Sequence, residues 1–323
     1  MSLDFLDIRS PQDFEEQALS LYHKQVQSNA VYGEFKDRLM GNRPVQRLED
    51  IPYLPVSFFK SHSLKTGEFE PEAVFTSSST TGQTPSRHEV RSLKLYEETF
   101  FRAFEQFYGR VEDWTVLALL PSYLERQGSS LVYMAEKLIE RSQAHESGFY
   151  LYNHEELYQT LSQLEGEGRK TLLLGVTFGL LDFAEKFSLN FKHTVIMETG
   201  GMKGKRKELI RQEVHELLQQ SFGSSPIHSE YGMTELMSQA YSDGNGIYRT
   251  PPWMKISVRS STDPLSLLPK GKSGGINIID LANQDSCAFL STQDLGRILP
   301  DDNFAILGRF DNSDVRGCNL MVV

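Results

Sequence analysis

The sequence predicts an α/β protein: a mostly parallel sheet flanked by helices, followed by a smaller β-rich subdomain. Between residues 74 and 231, short apolar runs alternate with segments whose apolar side chains recur every three or four positions. Strands that alternate with helices of this length form crossover units, which cover both faces of a parallel sheet. After residue 235 the helical spacing fades, and Gly, Pro, Asp and Asn interrupt short apolar runs. We therefore expect an α/β part in residues 1–235 and a β-rich subdomain in residues 236–323, packed together because no linker composition separates them.

The individual elements follow from these patterns in chain order. An N-terminal helical segment is expected at residues 11–40, and a connection with three prolines follows at residues 44–55. The strands of the parallel sheet are expected at residues 74–75, 116–120, 149–152, 172–176, 195–197 and 227–228. The helices between them are expected around residues 93–107, 131–138, 157–164, 180–187 and 209–218. Short strands of the subdomain are expected at residues 256–258, 275–280, 288–291 and 304–307.

Charge and composition exclude several classes of function. The 323 residues carry a formal net charge of −10 without a basic block, which argues against nucleic acid as the main partner. No apolar run is long enough to span a membrane, and the acidic N-terminus lacks the continuous apolar region of a signal peptide. Two cysteines, Cys287 and Cys318, are too few for a disulfide framework or a zinc site. We therefore expect a cytoplasmic globular protein.

A hydroxyl-rich segment at residues 75–85 is predicted to form a loop between a strand and the helix that begins near Leu93. Backbone N–H groups and Ser/Thr hydroxyls donate to phosphate oxygens, and a glycine lets the backbone come close to them. No lysine follows Gly82, so this is not the common P-loop. The alternative is a solvated Ser/Thr turn. The candidate phosphate-binding residues are Ser77, Ser78, Ser79, Thr80, Thr81 and Gly82.

Residues 231–235, Tyr-Gly-Met-Thr-Glu, form the strongest chemical signal in the chain. They follow a predicted strand, and ligands of parallel sheets bind beyond the carboxyl ends of the strands. Tyr231 can stack on a base, Thr234 can donate to a phosphate, and Glu235 can bind the Mg²⁺ that accompanies a nucleotide. The alternative is a structural turn in which Thr234 only caps the chain.

This motif resembles the core motif of the adenylate-forming superfamily, which includes acyl-CoA ligases, luciferases and peptide-synthetase adenylation domains. The hydroxyl loop comes first in that family's order, and Gly200-Gly201 resembles a double glycine that lies against adenine. Asp294 resembles an aspartate that holds the ribose hydroxyls, and Arg309 lies in a segment similar to the family's hinge motif. The resemblance implies ATP and Mg²⁺ as cofactors. It also implies the fold of the family's large N-terminal domain, with Gly232 in the nucleotide site.

Further segments resemble the acyl-protein synthetase (fatty-acid reductase component) family of bacterial luminescence systems. They are residues 55–60, 121–130, 198–204 and 316–320. This resemblance implies that a fatty acid is activated as acyl-AMP and then carried on Cys318. The alternative for Cys318 is a passive cysteine in a packed terminal segment, and Cys287 is expected to be a buried, inert thiol.

Four residues are candidates for the acyl site. Tyr123, Gln127, Ser129 and His228 are expected to shape it. Ser129 could instead only cap the helix that follows, and His228 could be a hydrogen-bonded core histidine.

The sequence departs from the adenylate-forming pattern in ways that bear on catalysis. The chain ends fourteen residues after Arg309, so we expect no C-terminal lid to supply the lysine of the adenylation step. Lys60 is the candidate substitute, although a solvated lysine is the simpler interpretation. Smaller deviations are Ser79 and Gln293 where the family has glycine, and Asn312 where it has aspartate.

Three functions remain open at this point. The first is ATP-dependent activation of a carboxylic acid as acyl-AMP, followed by transfer of the acyl group to a thiol; a fatty acid is the favoured substrate. The second is an acyltransferase that uses a carrier thioester without ATP, and the third is a non-catalytic subunit that binds nucleotide or acyl chains. The expected partners are a small carboxylic acid and either an acyl-accepting thiol (a carrier protein or coenzyme A) or a reductase-like subunit.

Overall fold

The computed structural model describes residues 4–78, 84–120, 128–200, 209–223 and 226–310. The helices are α1 (Pro11–Ser28), α2 (Ala30–Met40), α3 (Leu93–Tyr108), α4 (Ser130–Ser142), α5 (His154–Gly166), α6 (Thr177–Ala184) and α7 (Arg211–Phe222). The strands are β1 (Leu54–Pro55), β2 (Ala73–Thr76), β3 (Arg87–Val90), β4 (Thr115–Leu119), β5 (Gly148–Tyr150), β6 (Thr171–Val176), β7 (Thr194–Thr199), β8 (His228–Tyr231), β9 (Ala240–Ser242), β10 (Ile247–Tyr248), β11 (Met254–Arg259), β12 (Ser273–Asp280), β13 (Phe289–Ile298) and β14 (Phe304–Arg309).

The central parallel sheet has the strand order β5-β4-β6-β7-β8-β9. Strands β5, β4, β6, β7 and β8 pair in parallel, and β9 closes the edge in antiparallel fashion. Every residue of β4 and β6 is buried, as expected for central strands covered on both faces. The predicted α/β class is therefore confirmed, and the carboxyl ends of β7 and β8 lie side by side.

The N-terminal segment is two helices rather than one, because Asn29 lies at their junction. Its backbone N–H ends α1 on the carbonyl of Gln25, at 2.9 Å. Its side chain then begins α2 by accepting from the backbone N–H of Tyr32 at 3.0 Å. The two helices pack on the β-rich part of the chain, where the buried Gln25 amide donates to the carbonyls of Asn283 and Ser286 at 3.0 and 3.1 Å.

The second sheet is antiparallel, with the order β10-β14-β13-β12-β11, and β1 pairs in parallel beside β13. It confirms the predicted smaller β-rich subdomain. Each sheet takes one strand from the other side of residue 236: β1 joins the antiparallel sheet, and β9 joins the parallel one. The domain boundary itself stays a prediction.

The hydroxyl-rich loop does not lead from the parallel sheet into a helix, so that expectation is wrong. In the described part of the chain, strand β2 pairs with β3 alone, in a separate two-stranded antiparallel sheet, and α3 begins after β3. The missed strand, Arg-His-Glu-Val, carries three charged or titratable residues, so its alternation is hard to read from sequence. The alternation is visible only in the fold, where the buried residues His88 and Val90 alternate with the more exposed Arg87 and Glu89. The loop is thus the connection of a hairpin.

None of the helices in the described part of the chain combines the length and apolar character needed to cross a membrane.

Candidate active site

Tyr231 ends β8 and reaches across to the antiparallel sheet. Its hydroxyl donates to Asp294 Oδ2 at 2.7 Å, and its ring packs edge-on against Tyr248 and Phe304. Burial and the negative charge of Asp294 raise the pKa of the Tyr231 hydroxyl well above its ordinary value, so the hydroxyl stays a donor. The first residue of the motif and the predicted ribose-binding aspartate are therefore in direct contact.

Asp294 also faces Arg309, because the two are directly opposite on β13 and β14. Arg309 Nε lies 3.3 Å from Asp294 Oδ1, with the arginine side chain 72% exposed and the aspartate side chain 13% exposed. An ion pair this exposed contributes little to stability, about 0–1 kcal/mol. The guanidinium is therefore free to turn toward a ligand while Asp294 stays in place, since its backbone N–H donates to Thr292 Oγ1 at 3.1 Å.

Glu235, the last residue of the motif, is a buried carboxylate tied to the hydroxyl loop. Burial raises the pKa of Glu235, while a hydrogen bond from the Ser86 hydroxyl and the positive charges of Arg309 and Lys60 act in the opposite direction. Ser86 is in turn paired with Ser77, through Ser86 N to Ser77 Oγ at 2.8 Å and Ser77 N to Ser86 O at 3.1 Å. A chain of hydrogen bonds thus links the start of the hydroxyl loop to the motif carboxylate.

The backbone of the motif is held by two residues that the sequence did not single out. His88 Nδ1 lies 2.8 Å from the carbonyl oxygen of Thr234, and Asn283 donates its amide to the carbonyl of Glu235 at 2.7 Å. A carbonyl only accepts, so His88 Nδ1 carries the proton. Burial lowers the pKa of His88 to about 4, so the ring is neutral at physiological pH.

Asp280 fixes the chain just after the motif. Its carboxylate accepts from the backbone N–H groups of Met237 at 2.8 Å, Ser238 at 3.0 Å and Ala282 at 3.2 Å, and from the Ser238 hydroxyl at 2.6 Å. Trp253 Nε1 adds a donor to that hydroxyl at 3.0 Å. Three of these hydrogen bonds come from Met237 and Ser238, so the buried carboxylate of Asp280 holds the chain that follows the motif in place.

Gly232 packs closely against the side chain of Glu230 inside the motif. A Cβ at this position would lie 2.4 Å from Glu230 Oε1. Glu230 is itself buried, and burial raises the pKa of its carboxyl to about 7. Its Oε2 accepts the hydroxyl of Thr199, at the end of the neighbouring strand β7.

The described residues bring several predicted site residues together. Tyr231, Asp294 and Arg309 are in contact, and Glu235 lies within electrostatic reach of Arg309 and Lys60. Lys60 is exposed at the end of a short 3-10 turn, Val56–Lys60.

Other predicted site residues lie elsewhere or outside the described residues. Ser129 accepts from Val132 N at 3.3 Å and so caps α4. His228 is half-buried, and its Nδ1 lies 3.1 Å from the hydroxyl oxygen of Tyr108. Cys287 is fully buried, as expected, and burial raises the pKa of its thiol to about 12. Ser79, Thr80, Thr81, Gly82, Tyr123, Gln127, Gly201 and Cys318 lie outside the described residues.

The donor set around Glu235 suits a cation held mainly by a nucleotide. Among the described residues, no group of three His, Cys, Asp or Glu side chains gathers into a metal cluster. Mg²⁺ is commonly bound by one or two carboxylates together with substrate phosphates, rather than by an all-protein cage. The single carboxylate of Glu235 beside the hydroxyl loop fits that arrangement.

Comparison with solved structures identifies the class of fold. The chain superposes on an open conformation of 2-hydroxyisobutyryl-CoA ligase in complex with 2-HIB-AMP and CoA, with a TM-score of 0.64 and 13% identity, covering 93% of this chain and 70% of that one. It also matches ATP-bound MatB from Rhodopseudomonas palustris, with a TM-score of 0.55 and 16% identity over 73% of this chain and 48% of that one. The chain therefore has the fold of the adenylate-forming enzymes, and it spans about half the length of MatB.

The sequence of the chain is also similar to that of a curated protein. The chain is 24% identical over 324 aligned residues to the long-chain-fatty-acid–luciferin-component ligase of Vibrio harveyi, covering 93% of this chain and 84% of the relative. No family model matches the chain. The matches in sequence and in structure confirm the resemblance to adenylate-forming ligases that the motifs predicted.

Proposed function

We propose that this protein is an ATP-dependent ligase that activates a carboxylic acid as acyl-AMP and passes the acyl group to a thiol. The supporting observation is that motifs far apart in the sequence converge beyond β8. Glu235 is linked to the hydroxyl loop through Ser86, and Tyr231 is linked to Asp294 and Arg309. This arrangement puts hydroxyl donors, a carboxylate for a cation and a carboxylate–arginine pair within one small region.

Each group has a role that its surroundings suit. Asp294, held by the Tyr231 hydroxyl, accepts from the ribose hydroxyls of ATP, and Arg309 turns toward ribose or phosphate. Thr234 donates to the α-phosphate, where negative charge develops as the substrate carboxylate attacks phosphorus and the bond to pyrophosphate breaks. Mg²⁺ on Glu235 would supply positive charge on the phosphate oxygens. Because Asp280 and His88 hold the motif backbone, these donors need no rearrangement during the reaction.

The acid, the thiol and the catalytic lysine are finer parts of the proposal. The similarity to a long-chain-fatty-acid ligase favours a fatty acid as substrate. Lys60, exposed and within electrostatic reach of Glu235, is proposed as a lysine that acts in the adenylation step. Cys318 is proposed to receive the acyl group before a partner thiol or a reductase-like subunit takes it.

A pyrophosphate-exchange assay tests this function. The purified protein is incubated with ATP, Mg²⁺, labelled pyrophosphate and a panel of saturated fatty, branched and aromatic acids. Label should enter ATP only with a suitable acid, and omission of acid is the control. If no acid in the panel supports exchange, and the protein instead moves acyl groups from a carrier thioester without ATP, then it is an acyltransferase and the proposal is wrong.

A further inference from the structure

A buried carboxylate next to the candidate nucleotide site accepts several hydrogen bonds that none of the predicted motifs requires. Glu198, near the end of β7, accepts from the Thr177 hydroxyl at 2.9 Å on Oε2. Its Oε1 accepts from Arg211 Nε at 3.0 Å and from the Ser229 hydroxyl at 3.1 Å, and His215 Nε2 lies 3.7 Å away. Four elements, α6, α7, β7 and β8, therefore meet at one side chain.

The charge of Glu198 is compensated inside the protein. Burial by itself would raise the pKa of Glu198, but the nearby His215 ring and the positive charge of Arg211 outweigh it and hold this pKa below its ordinary value. The carboxylate is therefore ionised and acts only as an acceptor. Arg211 also lies over the ring of Tyr248, 5.2 Å from its centroid, which connects this cluster to the side where Tyr231 packs.

The hydroxyl of Thr177 bridges Glu198 and the backbone of Gly200. Its Oγ1 is 2.9 Å from Glu198 Oε2 and 3.0 Å from the carbonyl oxygen of Gly200. Both partners are acceptors, so the single hydroxyl proton is shared between them. The hydroxyl therefore holds the Gly200 carbonyl at a set distance from a carboxylate that is itself fixed on several sides.

Gly200 is a position at which such support matters. It has a φ of +73°, a left-handed conformation that glycine adopts far more readily than other residues, directly after the last residue of β7. The turn lies at the carboxyl end of a parallel strand, where ligands of such sheets bind. On the preceding residue, the Thr199 hydroxyl is bonded to Glu230, so the turn is anchored on both faces of the sheet.

We propose that Thr177 and Glu198 are positioning residues that hold the Gly200 turn in the shape required to bind the base of ATP. This inference rests on the proposed function, because it assigns the turn to a nucleotide site. Neither residue contacts the reacting atoms. They keep the Gly200 turn in its bound conformation when no nucleotide is present. ATP binding then loses no free energy to ordering the turn.

The same strand offers a matched control at its opposite end. There Glu165 accepts from the Thr194 hydroxyl at 2.9 Å and from the backbone N–H of His193 at 2.9 Å. Thr177 and Thr194 are 4% and 5% exposed, and both donate to a glutamate across an end of β7. Replacing either threonine with valine removes one buried hydroxyl of the same kind, but only Thr177 is next to Gly200.

The experiment measures binding of ATP by isothermal titration calorimetry, together with the melting temperature, for wild type, Thr177→Val, Thr177→Ser and Thr194→Val. Thr177→Val should raise the Kd for ATP about threefold to tenfold, the loss expected for one hydrogen bond. Thr177→Ser keeps the hydroxyl and should bind within about twofold of wild type. Thr194→Val should show wild-type affinity, although its melting temperature falls as much as that of Thr177→Val.

The outcomes separate this inference from the proposed function. If wild type does not bind ATP, the proposed function fails, and with it the assignment of the turn. If wild type binds ATP but the two valine variants bind equally well, the positioning role of Thr177 is wrong. Should Thr177→Val be too unstable to purify, Glu198→Gln measured against Glu165→Gln gives the same comparison, and equal Kd values would again overturn the inference.

Discussion

Replacing Asp294 with asparagine should weaken ATP binding strongly and leave the fold almost unchanged. The substitution keeps the volume of the side chain and one oxygen that can accept a hydrogen bond from the Tyr231 hydroxyl. In the wild-type protein this hydroxyl is 2.7 Å from Asp294 Oδ2. The ion pair to Arg309 is lost, but that arginine is 72% exposed, so the loss of stability should be about 0–1 kcal/mol. Hydrogen bonds from ribose hydroxyls to a charged carboxylate contribute about 1.5–3 kcal/mol to binding. Losing that contribution corresponds to about a 10- to 150-fold higher Kd for ATP.

Calorimetric titration with ATP and urea unfolding of the same preparations measure the two quantities separately. Asp302→Asn is the control, since Asp302 is paired with Lys270 at 2.7 Å on an exposed part of the surface and should affect neither. An Asp294→Asn variant with ATP affinity within twofold of wild type would refute the ribose-binding role. A variant that loses affinity only in proportion to a large loss of stability would refute it as well.

Other residues give sharper expectations about mechanism and pH. Glu235→Gln should weaken the Mg²⁺ dependence of turnover while the fold stays intact, and unchanged Mg²⁺ and ATP dependence would contradict the assignment. Lys60→Met should abolish acyl-AMP formation and spare hydrolysis of preformed acyl-AMP, because the exposed side chain has little structural role; equal loss of both activities would point to folding instead. Wild type incubated with ATP, Mg²⁺ and a labelled acid should carry a hydroxylamine-sensitive label on the peptide containing Cys318, absent in Cys318→Ser; acyl-AMP formation without that thioester would make a separate thiol the acceptor. Burial raises the pKa of Glu230 from its ordinary value of 4.5 to about 7, so the neutral carboxyl stabilises the folded state at low pH. That stabilisation is lost as pH rises through 7, and the difference in unfolding free energy between wild type and Glu230→Gln should therefore fall by about 3 kcal/mol from pH 4.5 to 7.5 in urea titrations, whereas a flat difference would contradict the shift.

Local patterns were sufficient to predict most of the fold. The alternation of apolar runs with helical spacing predicted β4 to β8 and the helices between them, because burial on both faces leaves a periodic trace along the chain. Strand β3 escaped prediction because its partner is β2, and charged residues alternate with buried ones only once the hairpin forms. The break at Asn29 was likewise invisible, since both helices share the same apolar periodicity.

The candidate site divides in the same way. The residue types of the motif, Tyr231 to Glu235, and their position after a strand could be recognised from sequence because each carries its own chemistry. The residues that hold them, Ser86, His88 and Asp280, could not be recognised, because an isolated serine, histidine or aspartate has no periodic or compositional signal.

The sequence by itself determined the α/β class and the order of the motifs, and it predicted which groups contact a nucleotide. Only the tertiary structure decided which carboxylates are buried and what they support, as with Glu198, which anchors Gly200 through Thr177. The physical reason is that periodicity and side-chain chemistry are local properties of the chain. Burial, compensation of charge and hydrogen-bond geometry arise between residues distant in sequence, and they exist only when the chain is folded.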